Sequence, residues 1–521
     1  MKPEFDLNRK TFELPPAGPG LGTPEEHDLF EKIQLNMASQ YENIFPDDLA
    51  PRTVVINPSL TLDAEILSKI RGSIHYEERL LCLLMLLRLP RTKVIYLSSM
   101  PLSDVIIDYY LHLLQGITGL HARNRLTMLS CYDLSKKSLT EKILDRPRLI
   151  ERIKSHITDP LSTHLTCYNI TPLEKSLAVK LGIPIFGTDP SKFYEGSKSG
   201  ARKTFRACGI DMPDGDEDLK TREDIAASLA RLKRKDPALR KAVVKMNDGF
   251  SGDGNAIYRY PEMKIDESLE SVILKNLDDN IRPVSKDVSK ELFFEKFFEM
   301  EGIVEEFLEG EIKVSPSVQC VVGTNKIEIA STHDQLLGGE DGQIFLGAIF
   351  PADIEYASAL AEMGQKVSDH LSSKGVLGRF AVDFISVKQE DNSWKHFAIE
   401  INLRKGGTTH PFMMIQFLTN GFYNAEKGVY VTASGNERYY FASDNVQNDM
   451  YIGITPLDLI DIAMFHKIMY DGASQEGVVF HLIGALSEFG KLGLVCIGST
   501  PERAKEFYDN TIRVLDFECS N

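Results

Sequence analysis

The run Ala242-Val243-Val244-Lys245 leads into a stretch with three glycines in six residues, Gly249-Phe250-Ser251-Gly252-Asp253-Gly254. A strand that ends in lysine and opens into such a loop can fold its backbone N–H groups over a polyphosphate, with the ammonium as a compact point charge. No Gly-Lys-Ser/Thr follows the glycines, so this is not a Walker A loop, and taken alone it reads equally well as a hairpin turn. Farther along, two strand-like runs, 380–384 with Asp383 and 397–404 with Glu400, Asn402 and Arg404, flank a turn at 390–393. As a hairpin they bring Asp383 and Glu400 onto neighbouring arms. The two-residue period of a strand puts Glu400, Asn402 and Arg404 on one face and Ile399, Ile401 and Leu403 on the packed face. Such a set offers hard oxygen ligands for Mg²⁺ with a guanidinium in reach of the same place. The segment 302–311 offers extended backbone to an adenine edge, with Glu305 or Glu311 available to its amino group or to a ribose.

Several elements must position these groups. Short apolar runs at 53–56, 94–97, 126–130 and 183–186 alternate with longer amphipathic stretches. That alternation predicts α/β architecture with a parallel sheet covered on both faces. The first run is not followed by Gly-x-Gly-x-x-Gly, so a nicotinamide-binding site is not expected there. The pattern breaks at 187–190, after which 197–206 reads as a helix stopping near Gly209. Strand-like runs fill 240–410, the stretch 421–448 reads as irregular and polar, and the tail reads as strands at 477–482 and 491–498 around a helix, with a last helix from Pro501.

Taken in order, these segments resemble the ATP-grasp superfamily over about 185–420. Lys198, eleven residues before Gly209, stands where that family has its first ATP lysine. Lys245 matches the second, and the lid over the phosphates matches 249–255, here Gly249, Ser251, Gly252 and Gly254. Glu305, Glu306, Phe307 and Leu308 match the adenine hinge. Asp383, Glu400 and Asn402 match the ligands of two Mg²⁺ ions, for which Mn²⁺ could substitute, and Arg404 matches the catalytic arginine of Glu-x-Asn-x-Arg. Many members place the ribose carboxylate two residues after the hinge glycine, whereas here Glu311 directly follows Gly310. The resemblance implies a Rossmann-like pre-ATP-grasp domain with an N-terminal arm at 1–188, an ATP-grasp domain of two subdomains enclosing ATP at 189–435, and a small C-terminal α+β domain at 436–521. The segments at 315–319, 400–411 and 490–493 are similar to peptide ligases of the pheganomycin type. The activity implied is ATP-dependent joining of a small carboxylate to an amine or short peptide through an acyl phosphate, with release of ADP and phosphate. A kinase acting on a small-molecule hydroxyl, or a non-catalytic nucleotide-binding protein, would share the nucleotide residues.

Composition narrows the partners. With 75 acidic residues against 59 Lys and Arg, the formal net charge is -16, which argues against a nucleic-acid or anionic-membrane surface. The apolar stretch 80–89 is interrupted by Arg88 and is far shorter than the roughly 20 residues that cross a bilayer, so it reads as core. The alternating charges of 1–10 lack the apolar stretch of a secretory signal, and the expected location is cytoplasmic. A homodimer is compatible with the sequence. The seven cysteines are scattered without a CxxC and read as ordinary buried thiols. His333, Lys405 and His410 flank the expected site as candidates for orienting substrate, whereas Trp394, in the hairpin turn, reads as incidental.

Overall fold

The computed structural model describes residues 18–62, 67, 72–249, 254–285, 288–338, 342 and 344–520. The first sheet is wholly parallel, from β1 (Arg52–Asn57), β2 (Thr92–Ser98), β3 (Leu126–Ser130) and β4 (Thr163–Cys167) in the order β3-β2-β1-β4. Alternation along β1 sends Val54 and Ile56 to one core and Val55 to the other, so helices cover both faces, as expected for parallel strands. The run 183–186 is a correction: it forms no strand, only a bridge from Ile185 to Leu165. Pro184 lacks the N–H that a ladder needs.

The second sheet is antiparallel, with β5 (Gly215–Leu219), β6 (Lys241–Met246), β7 (Asn255–Arg259), β8 (Ile281–Pro283) and β9 (Gly302–Glu306) in the order β5-β9-β6-β7-β8. Its rear face buries Val244 and Val304 against Leu229 of helix Arg222–Lys235 and Phe297 of helix Lys290–Met300.

The third sheet contains β10 (Lys313–Val322), β11 (Ile327–Gly338), β12 (Ile344–Phe350), β13 (Gly378–Lys388) and β14 (Trp394–Asn402). After the small hairpin β15 (Phe422–Asn424) and β16 (Val429–Val431), β17 (Tyr439–Gln447), β18 (Gly477–His481) and β19 (Lys491–Gly498) extend that sheet, giving eight strands in the order β14-β13-β10-β11-β12-β17-β19-β18. The stretch 421–448, expected to be irregular, therefore supplies three strands. Its Ser443, Asp444 and Asn445 mask the strand pattern because this part of β17 carries polar groups instead of a continuous apolar alternation. The expected tail is found: β18, helix Gly484–Phe489, β19 and helix Pro501–Cys519. All seven cysteines are free, and among the described residues no helix is long and apolar enough to cross a membrane.

Candidate active site

Helix Lys198–Cys208 begins where the Ser197 hydroxyl accepts from the Gly200 N–H at 3.0 Å and ends at Gly209, whose φ of 64° is the left-handed geometry that glycine adopts at a helix C-terminus. Its first residue, Lys198, sends its ammonium to Glu400 Oε1 at 2.8 Å. Asn247, just past β6, ties the parts together. Its carbonyl accepts from the Lys198 N–H and its side-chain oxygen from the Ser199 N–H, while its amide donates to Met300 O. The start of the helix and the end of β6 are thereby fixed to each other.

Lys245 lies on β6 opposite β9, and its buried ammonium is paired with Glu305. Arg202 approaches the other Glu305 oxygen at 3.4 Å. Glu305 is thus occupied as the anchor of two cations, and the Glu306 carboxylate accepts from the Asp214 N–H at 2.9 Å. Both line the cavity with Phe307 and Leu308, but their carboxylates are bound into the second sheet. Glu311 is exposed and does not line the cavity, unlike the other hinge residues matched from the sequence. Gly249 and Gly254 line the cavity and face each other at the neck of the loop. Ser251 and Gly252 lie outside the described residues.

On the opposite side, β13 and β14 form the expected hairpin with Asp383 directly across from Glu400. The register slips by one between Asp383 and Phe384, leaving Ile399 without a partner on β13. This bulge turns Ile399 toward the cavity along with Glu400, although strict alternation had put it on the packed face; bulges re-aim side chains in this way. Asn402 Nδ2 donates to Asp383 Oδ2 at 2.9 Å, which leaves its carbonyl oxygen available as a ligand. Burial, and then the neighbouring Glu400 charge, push the Asp383 carboxyl up to about 6. Burial also pulls Glu400 upward, but the Lys198 ammonium, helped by Arg404 and Lys245, outweighs it and holds Glu400 below its ordinary value. Unlike environments for two adjacent acids are a mark of functional sites.

Lys198, Lys245, Asp383, Glu400, Asn402 and Arg404 therefore share one cavity of about 830 Å³ between the second and third sheets. Val243, Phe307, Leu308, Ile385 and Ile399 supply its apolar walls. That volume is within the range of small-molecule sites. Among the described residues, no three His, Cys, Asp or Glu side chains gather as a metal site. Two carboxylates and an amide carbonyl nevertheless fit Mg²⁺, which is commonly held by one or two carboxylates with the rest of its shell from water and substrate phosphates.

The other candidates are elsewhere. His333 is buried and shares a hydrogen bond with the Tyr440 hydroxyl, and burial lowers it to about 3. Lys405 points away from the cavity to Thr166 Oγ1 and Cys167 O. His410 is buried against His481, ring centroids 4.2 Å apart. Sequence reasoning missed Tyr76, Arg79, Tyr168, Asp444 and Lys491, which line another part of the same cavity and come from chain segments far apart. Only Lys491 had a local signal, its place in the 490–493 segment, whereas Asp444 falls in the stretch that reads as irregular and polar.

Profiles of two families match the sequence: one described as IQCH-like, ATP-grasp, at residues 191–274 and 263–426, and the PGM1 C-terminal domain at residues 458–511. Among solved structures, the biotin carboxylase–β,γ-ATP complex from Campylobacter jejuni superposes with a TM-score of 0.52 at 12% identity, over 91% of this chain and 95% of that one. This chain has the ATP-grasp fold. Among curated relatives, the L-propargylglycine–L-glutamate ligase of Streptantibioticus cattleyicolor is 26% identical over 435 residues, 82% of this chain and 86% of that protein. IQ motif-containing protein H of Danio rerio is 24% identical over 426 residues, 72% of this chain, which span 40% of that longer protein. In this chain the cavity is lined from both the second and the third sheet.

Proposed function

We propose that this protein is an ATP-dependent carboxylate–amine ligase, forming an amide through an acyl phosphate. The observation that carries the reading is the convergence of Lys198, Lys245, Asp383, Glu400, Asn402 and Arg404 on one cavity. The likeness to a ligase that joins two amino acids supports it.

In this reading the adenine sits against Val243, Phe307, Leu308, Ile385 and Ile399, with the hinge backbone at 305–308 along its edge. Lys198 and Lys245 face the phosphates, and Arg404 faces the group being transferred. Asp383, Glu400 and Asn402 would hold Mg²⁺, two ions in the full reading, which supplies charge neutralisation to the β- and γ-phosphates. A substrate carboxylate oxygen attacks the γ-phosphorus, and the bond to the β–γ bridging oxygen breaks to release ADP. The amine nitrogen then attacks the acyl carbon, inorganic phosphate leaves, and the nitrogen gives up a proton. Positioning and preorganised charge carry most of the rate in phosphoryl transfer. Glu305 anchors the Lys245 ammonium, and the Lys198–Glu400 pair holds cation and acid together.

The test is an ADP-release screen of amino acids and short peptides with ATP and Mg²⁺, with mass spectrometry of the products. An amide whose formation matches ADP release supports the reading. Transfer of the phosphoryl group to a hydroxyl, or retention of nucleotide without turnover across the screen, refutes it.

A further inference from the structure

The cavity contains a second charged cluster that the phosphate chemistry does not use. Residues Ser73–Arg88 form a 3-10 helix of sixteen residues, far longer than the usual few, and such stretches often mark function or strain. In this helix residues three apart eclipse, so Tyr76 and Arg79 stack, with the guanidinium carbon 4.0 Å from the ring centroid. Both line the cavity.

Arg79 donates to Asp444 Oδ2 on β17 at 2.6 Å and to the Tyr168 hydroxyl at 3.1 Å. Lys491, the first residue of β19, donates to the Tyr76 hydroxyl at 3.0 Å. Asp444 offsets Arg79, but among the described residues no carboxylate pairs with Lys491. The cluster therefore has one positive charge in excess, presented with two phenol groups. Gly406 and Gly407, separated from Arg404 by Lys405, line the main cavity and also a small pocket shared with Arg79 and Asp444. This places the cluster beside the reacting end of the site.

We propose that Lys491, held by Tyr76 and backed by the Arg79–Asp444 pair, binds the spectator carboxylate of an amino-acid substrate, the one that neither is activated nor reacts. This rests on the ligase reading above and narrows its substrates to amino acids or peptides with a free, non-reacting carboxylate. The single excess charge suits a monoanion. Asp444 disfavours a dianion such as phosphate, which already has Lys198, Lys245 and Arg404. The ammonium of Lys491 supplies a point charge without fixed bidentate geometry, so the free α-carboxylates of amino acids with different side chains are accommodated.

The full-length protein, saturated with Mg²⁺ and a non-hydrolysable ATP analogue, is titrated calorimetrically with L-glutamate, L-alanine and their α-amides. At least one free acid is expected to bind, and its α-amide to bind at least about tenfold more weakly, since a site built for a polar partner rejects analogues lacking it. Lys491→Met should lose that margin on the acid while leaving the amide and the analogue unaffected, and Lys491→Arg should restore it. Lys491 is only half-buried, and a thermal melt checks the fold of each variant. Equal binding of acid and amide, an unchanged Lys491→Met, or no binding by any of the four while the analogue binds would overturn the proposal. Failure of the analogue itself to bind would instead overturn the ligase reading, and this proposal with it.

Discussion

Replacing Lys198 with methionine separates the two roles its ammonium holds. It lies 2.8 Å from Glu400, with side-chain exposures of 8% and 24%. Two unit charges near a protein surface attract by about 4 kcal/mol at 4 Å, and breaking a buried pair from one side costs about 3 kcal/mol at the low end. Arg404 and Lys245 still act on Glu400, so the low end applies. Lys198→Met should therefore unfold more easily by about 3 kcal/mol in chemical denaturation, and proportionally less in a Lys198→Met/Glu400→Gln double variant, where no charge is stranded. In turnover the same ammonium faces phosphate, and loss of one preorganised donor lowers kcat by about a hundredfold, again near 3 kcal/mol. A coupled ADP-release assay on the best substrate pair reads this directly. A folded Lys198→Met protein that releases ADP as fast as the parent would refute the placement of Lys198 on the phosphates.

Gly378, the first residue of β13, has a φ of 95°, and a Cβ there would meet the Gly187 backbone at 2.6 Å. Gly378→Ala should destabilise the fold by about 1–3 kcal/mol from backbone conformation alone, measured as a shifted denaturation midpoint. Glu77 is buried, and burial raises it to about 7, so the native state holds a proton that the unfolded chain releases at its ordinary, lower pKa. Its contribution to stability therefore falls as pH rises from about 4.5 to 7. Glu77→Gln should be relatively more stable at pH 8 than at pH 5 in paired thermal melts, and a pH-independent difference would contradict this. The single tryptophan, Trp394, packs edge-on against Tyr356 with centroids 5.0 Å apart, and Tyr356 lines the cavity. Titration with ATP and Mg²⁺ should change its fluorescence, and an unchanged emission at saturating nucleotide would contradict nucleotide binding in the cavity that Tyr356 lines.

The parts of the site legible in the sequence were those in which one short segment carries its own geometry. The two-residue period of β13 and β14 announced Asp383, Glu400 and Asn402, and the lysine followed by glycines announced β6 and its loop. What was not legible depends on long-range pairing. The bulge that turns Ile399 inward exists only because β13 and β14 slip by one residue. Tyr76, Arg79, Asp444 and Lys491 come together from the 3-10 helix, β17 and β19, and no local spacing announces that meeting. Glu305 looked free to contact a ligand because its partners, Lys245 on β6 and Arg202 on helix Lys198–Cys208, are remote in the chain.

Hydroxylamine trapping tests the ligase reading most directly. With ATP, Mg²⁺ and the activated carboxylate but no amine, the protein should yield the corresponding hydroxamate together with ADP, and Glu400→Ala should yield neither while remaining folded. ADP release that continues without any hydroxamate, in the presence of a carboxylate shown to become amide, would contradict an acyl phosphate formed in this cavity.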